Sequence, residues 1–66
     1  MAMTGTVTAF DESAGLGTVT ADGGAAYPFH CVSIADGSRS IEPGTRVSFE
    51  AGFRVARTEA TSIVRL

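Results

Sequence analysis

A chain of 66 residues that is 44% hydrophobic and 18% charged has the composition of one small globular domain, not of a disordered segment. A single cysteine excludes an internal disulfide and leaves no ligand set for zinc. Apolar runs of only a few residues exclude a membrane span or a signal-peptide core, so a cytoplasmic setting is expected. Short alternating runs of β-branched residues, broken by Gly and Pro, predict strands and no long helix. Residues 4–10 alternate about Val7 and form the first predicted strand, followed by a polar turn at 11–15. Residues 16–20 are the second, with Val19 inward, and Ala21-Asp22-Gly23-Gly24 supplies the positive φ that a tight hairpin requires. Residues 26–31 are the third, with Tyr27 and Phe29 on one face and Pro28 and His30 on the other.

Val32 to Ile34 reads as one short helical turn. A polar loop at 35–40, Ile41 and a turn at 42–45 lead into a fourth strand at 46–50, with Val47 and Phe49 on one face. Residues 52–57 read as a loop and residues 60–66 as the fifth strand. Five short strands with turn signals at this spacing predict an all-β, antiparallel single domain over 1–66. Closure into a barrel is favoured because it removes the exposed edges of a small sheet. The predicted core is Val7, Val19, Phe29, Ile34, Ile41, Val47, Phe49 and Ile63, with Tyr27 beside it.

Catalytic chemistry finds no support. His30 and Cys31 are neighbours on a predicted strand, so their side chains are expected on opposite faces and not as a nucleophile–base pair. As metal ligands they stand alone, and Gly15-Leu16-Gly17 is only half of a dinucleotide motif, with no third Gly and no helix after it. Asp11 and Glu12 read as solvated turn acids. No enzyme activity, cofactor or metal is therefore expected, and a binding module remains. Binding single strands requires exposed rings for stacking and a positive groove for phosphate.

The charge pattern bears on that requirement. The net charge of −2 is unevenly divided. Residues 1–38 hold Asp11, Glu12, Asp22 and Asp36 with no Lys or Arg, whereas residues 39–66 set Arg39, Arg46, Arg54, Arg57 and Arg65 against Glu42, Glu50 and Glu59. An acidic balance speaks against a nucleic-acid partner, whose non-specific affinity comes chiefly from phosphate contacts.

Gly5-Thr-Val-Thr-Ala-Phe-Asp11, Ala14-Gly-Leu-Gly-Thr-Val19, Phe29-His30 and Pro43-Gly-Thr-Arg-Val-Ser-Phe-Glu50 together resemble the cold-shock domain family over nearly the whole chain. That family shows G-x-V-x-W-F, K-G-[FY]-G-F-I, V-F-V-H-F and G-x-x-V-x-F in this order. The resemblance implies an oligonucleotide-binding (OB) barrel of five antiparallel strands that takes single-stranded RNA or DNA. Scaffold positions agree, namely Gly5, Val7, Gly15, Gly17, Val19, Ile34, Gly44, Val47, Phe49 and Ile63. Binding positions agree poorly. Ala9 stands where the family has Trp, and Thr8 and Ala14 where it has Lys. Leu16, Thr18, Pro28 and Cys31 replace aromatics, and the downstream loop aromatic falls near Ser38 or Arg39.

By this resemblance the nucleic-acid-binding positions are Phe10, Leu16, Thr18, Pro28, His30 and Arg39, with Arg54 and Arg57 adding charge from loops. Only Phe10 and His30 stand as in the family. A base stacked on an aromatic contributes roughly 1–3 kcal/mol, so losing three platforms implies binding weakened by ~3 kcal/mol, about two decades. The alternative is a degenerate barrel acting as a protein-interaction or self-association module, such as a homodimer, through the apolar surface at Leu16 and Pro28. Neither reading involves a membrane.

Overall fold

The computed structural model describes residues 2–54 and 57–66, with side chains described outside 53–57. Strands form where the alternation runs: β1 (Met3–Asp11), β2 (Leu16–Ala21), β3 (Ala26–His30), β4 (Arg46–Arg54) and β5 (Arg57–Arg65), with a 3-10 turn at Cys31–Ser33. They make one antiparallel sheet in the order β3-β2-β1-β4-β5. The sheet curls until its two edges meet at an Ile34–Ile63 parallel bridge, where the Ala35 N–H donates to the Ile63 carbonyl at 2.8 Å. Closure therefore rests on one bridge and not on a full β3–β5 ladder.

Two irregularities produce the curl. Val7 pairs with Val19 but Ala9 pairs with Thr18, so Thr8 is an extra residue on β1. Ser48 pairs with Val64 and Glu50 with Thr61, so Ser62 and Ile63 together oppose Phe49, and Ser62 takes the left-handed φ of 52°. Such bulges raise local twist and bend the strand that carries them. Close approach of β1 to β2 also needs glycine at position 5, where a Cβ would lie 2.4 Å from the Thr20 carbonyl oxygen.

All eight residues expected in the core are buried: Val7, Val19, Phe29, Ile34, Ile41, Val47, Phe49 and Ile63. Ala21 and Ala60 join them. Their single methyl groups carry little hydrophobic signal in a sequence pattern. Tyr27 is half-buried and packs against Phe49, ring centroids 5.6 Å apart and tilted by 57°.

Two expectations are corrected. The loop expected at 52–57 is mostly strand: β4 runs on to Arg54, β5 begins at Arg57, and these two arginines are paired across the hairpin. Gly52 had marked a break, yet it pairs with Glu59, and ladder pairing overrides the low strand propensity of glycine. The side chains of Arg54 and Arg57, expected to lend charge from a loop, lie outside the described residues. The second correction concerns His30 and Cys31. The strand ends at His30 and the chain turns into the 3-10 helix, so strict alternation stops. The Cys31 Sγ then lies 3.8 Å from the His30 Nδ1 instead of on the opposite face.

The end of the sheet away from the β1–β2 turn is pinned by an ion pair. Arg46 donates to both Asp22 carboxylate oxygens at 2.6 and 3.1 Å and to the Thr6 hydroxyl at 3.2 Å, while the Thr4 hydroxyl donates to Asp22 at 2.6 Å. These bonds, Arg46 first and Thr4 second, lower the Asp22 pKa to about 2.

Candidate nucleic-acid interface

Cross-strand register assigns each side chain of β1, β2 and β3 to a face. Val7 and Val19 are directly paired and buried, so their row faces the core. The next row, Ala9–Thr18–Pro28, faces outward. Phe10–Gly17–Phe29 faces inward again, and Asp11–Leu16–His30 faces outward. The outer surface of the three-stranded meander is thus built from Ala9, Asp11, Leu16, Thr18, Pro28 and His30. Leu16 is 49% exposed and His30 is exposed. Pro28 sits in β3, an edge of the sheet order, where a strand tolerates a residue with no N–H.

The structure brings four of the expected binding residues, Leu16, Thr18, Pro28 and His30, onto this one face. It places Phe10 elsewhere. The Phe10 ring stacks on Phe29 with centroids 5.9 Å apart and planes 17° from parallel. Gly17 makes room beneath them, since a Cβ there would lie 2.5 Å from the Phe29 Cζ. The remaining exposed part of Phe10 lines a separate cleft of about 240 Å³ with Glu12, Ser40, Ile41, Glu42 and Pro43.

His30 is oriented by the turn that follows it. Its Nδ1 accepts the Val32 N–H at 3.4 Å, capping the 3-10 turn, and the Cys31 N–H donates to the Gly15 carbonyl at 2.8 Å. With Nδ1 used as an acceptor, the neutral ring carries its proton on Nε2 and offers that N–H as a donor. Arg39 lies beyond this turn, lining a cleft of about 280 Å³ with Cys31, Val32, Ile34, Gly37 and Ser38.

The electrostatics of the face are negative. The Asp11 carboxylate accepts from the Ser13 hydroxyl at 2.8 Å, the Ser13 N–H at 3.1 Å and the Ala14 N–H at 3.3 Å. The Ser13 hydroxyl is the main cause that holds its pKa below the usual carboxylate range. In the sequence Asp11 is a turn acid only. Register adds that it shares an outward row with Leu16 and His30, information that sequence spacing alone does not carry. Arg46 and Arg65 are committed to Asp22 and Asp36. Among the described residues no three His, Cys, Asp or Glu side chains gather into a metal site, and no helix is long and apolar enough to cross a membrane.

A curled five-stranded antiparallel sheet with one outward face on its first three strands has the architecture of the OB-type barrels, whose strand-two and strand-three face takes oligonucleotides. Residues 3–66 match the family described as 'Cold-shock' DNA-binding domain, and the chain belongs to that family. It is accordingly a nucleic-acid-binding domain of the cold-shock type, a class defined by binding and not by catalysis. No curated protein matches the chain.

Proposed function

We propose that this domain binds single-stranded RNA or DNA through the outer face of β1, β2 and β3, with an affinity well below that of a face carrying aromatic platforms. One observation carries the reading: the two outward rows, Ala9–Thr18–Pro28 and Asp11–Leu16–His30, contain one imidazole and no benzene or indole ring. Stacking is worth roughly 1–3 kcal/mol per base, so the loss of several rings removes the larger part of the short-range binding energy. Phosphate attraction does not compensate, because residues 1–38 supply no Lys or Arg and Asp11 repels the backbone. What remains is the His30 ring, the apolar surface of Leu16 and Pro28, and Arg39 at the rim. A free, half-buried thiol at Cys31 fits a reducing cytoplasm.

NMR titration with a short oligo-T or oligo-U at low salt tests this. Shifts concentrated at Ala9, Leu16, Thr18, His30 and Arg39 are the expected result. Absence of shifts at roughly millimolar strand, above the usual non-specific range, refutes it. One observation favours a second reading, contact with another protein or a second copy. Leu16 (49% exposed) and Val32 (77% exposed) are large apolar side chains open to solvent, and Pro28 shares the outer face with Leu16. Concentration-dependent line broadening at these residues without any oligonucleotide would support it.

A further inference from the structure

The segment between the 3-10 turn and β4 has no strand or helix of its own, yet it is held along its length. Ile34 and Ile41 are buried at the two ends of its first part, residues 34–41. Next to Ile34, the Ala35 N–H is bound to the Ile63 carbonyl. Between the ends, one guanidinium reaches three acceptors. Arg65 pairs with the Asp36 carboxylate, donates to the Ser38 hydroxyl at 3.3 Å and donates to the Ser40 carbonyl at 2.9 Å. The Asp36 carboxylate in turn accepts the Ser38 N–H at 2.9 Å.

Arg39 lies between the two serines that this guanidinium grips. Its side chain lines the cleft whose other wall is Cys31 and Val32, and the Val32 N–H is the one that orients His30. Arg39 therefore shares a cleft with Cys31 and Val32, the two residues that follow His30 in the chain. Among the described residues Arg39 enters no ion pair, whereas Arg46 and Arg65 do. Exposed ion pairs add little to global stability. A forked contact that ties three points of a short loop instead has its main effect on where that loop sits, and guanidinium geometry suits it better than an ammonium would.

We propose that Arg65 is a positioning residue for nucleic-acid binding: it clamps residues 36–40 so that Arg39 is presented to phosphate at the His30 end of the face. This rests on the reading that the outer face binds single strands. Arg65 does not itself touch the strand, and its contribution passes through Arg39.

The test is oligo-T affinity over a salt series for the wild type, Arg39→Ala, Arg65→Gln, Arg65→Lys and the Arg39→Ala/Arg65→Gln double variant. Heteronuclear NOEs are measured on residues 36–40 of the free proteins. Each single variant should lower the slope of log K against log salt by about one, the signature of one lost phosphate contact. The double variant should lose no more than Arg39→Ala alone, because two residues acting through one contact are not additive. The 36–40 amides should lose order in Arg65→Gln and keep it in Arg39→Ala. A wild-type slope in Arg65→Gln or in Arg65→Lys, additive losses, or unchanged loop order would each overturn the clamp while leaving the binding reading intact. Failure of the wild type to bind would overturn both.

Discussion

Restoring rings to the outer face asks whether stacking or charge limits this domain. Ala9 and Thr18 are directly paired across β1 and β2 on an outward row, Ala9 exposed and Thr18 partly so. Side chains at such a pair have Cβ atoms about 4.5–5.5 Å apart. In Ala9→Trp/Thr18→Phe the two new rings would therefore stand side by side over solvent, with Pro28 completing the row. Two platforms at roughly 1–3 kcal/mol each give about 2–6 kcal/mol before any ordering cost. A net gain near 3 kcal/mol is about two decades in affinity. The introduced indole also supplies the assay, because the natural chain has no Trp and its quenching by oligo-T reports binding directly. The expected result is about a hundredfold tighter binding at low salt, with a salt slope unchanged from the wild type because no cation is added. If the variant keeps its fold and binds within about threefold of the wild type, stacking is not the limiting term. The deficit would then lie in the Asp11 carboxylate and the absence of basic residues from this face.

Three further outcomes follow from the geometry. In Gly5→Ala the new methyl would fall 2.4 Å from the backbone oxygen of Thr20, which cannot swing away, so β1 and β2 must separate. Overpacking of this kind costs about 1–3 kcal/mol and should lower the melting temperature by at least ~4 °C, and a smaller fall would contradict the close approach. Ser62→Gly should raise stability by about 0.5–1 kcal/mol, because a left-handed φ of 52° strains a side-chain-bearing residue by more than the entropy glycine adds to the unfolded chain. A lower urea midpoint in that variant would refute it. For Asp22 the folded pKa of about 2 lies below the ordinary aspartate value of 3.8, so its ion pair contributes stability above pH 3.8 that is lost as pH falls toward 2. Asp22→Asn should therefore flatten part of the acid limb of a urea-midpoint profile in that window. Asp11 and Asp36, whose pKa values are also lowered, contribute in the same direction.

Much of the fold was legible because each strand has its own local pattern. Val7, Val19, Val47 and Phe49 each sit between polar neighbours at strand spacing, and each is buried. The turns were equally plain: Gly15, Gly24 and Gly44 all adopt positive φ where the chain was read as turning. Less of the candidate site was visible. The extension of β4 to Arg54 depends on a partner strand, and the approach of the Cys31 sulphur to His30 depends on where β3 stops. Neither is encoded within a few residues.

The amino-acid sequence by itself determined the class of fold, the composition of the core and the shortage of cations in the first 38 residues, and the family resemblance marked the positions where rings are missing. Those follow from residue types and from the period of two of a regular strand. Tertiary structure alone decided which face each of these residues occupies. Unbroken alternation from the buried Val7 would have turned Ala9 inward and Phe10 outward. The extra residue at Thr8 reverses that phase, sending Ala9 out onto the row of Thr18 and Pro28 and folding Phe10 in against Phe29. A bulge arises because β1 must pair with a curling β2 and with β4 at once, a constraint set by the whole sheet and absent from any local stretch of sequence.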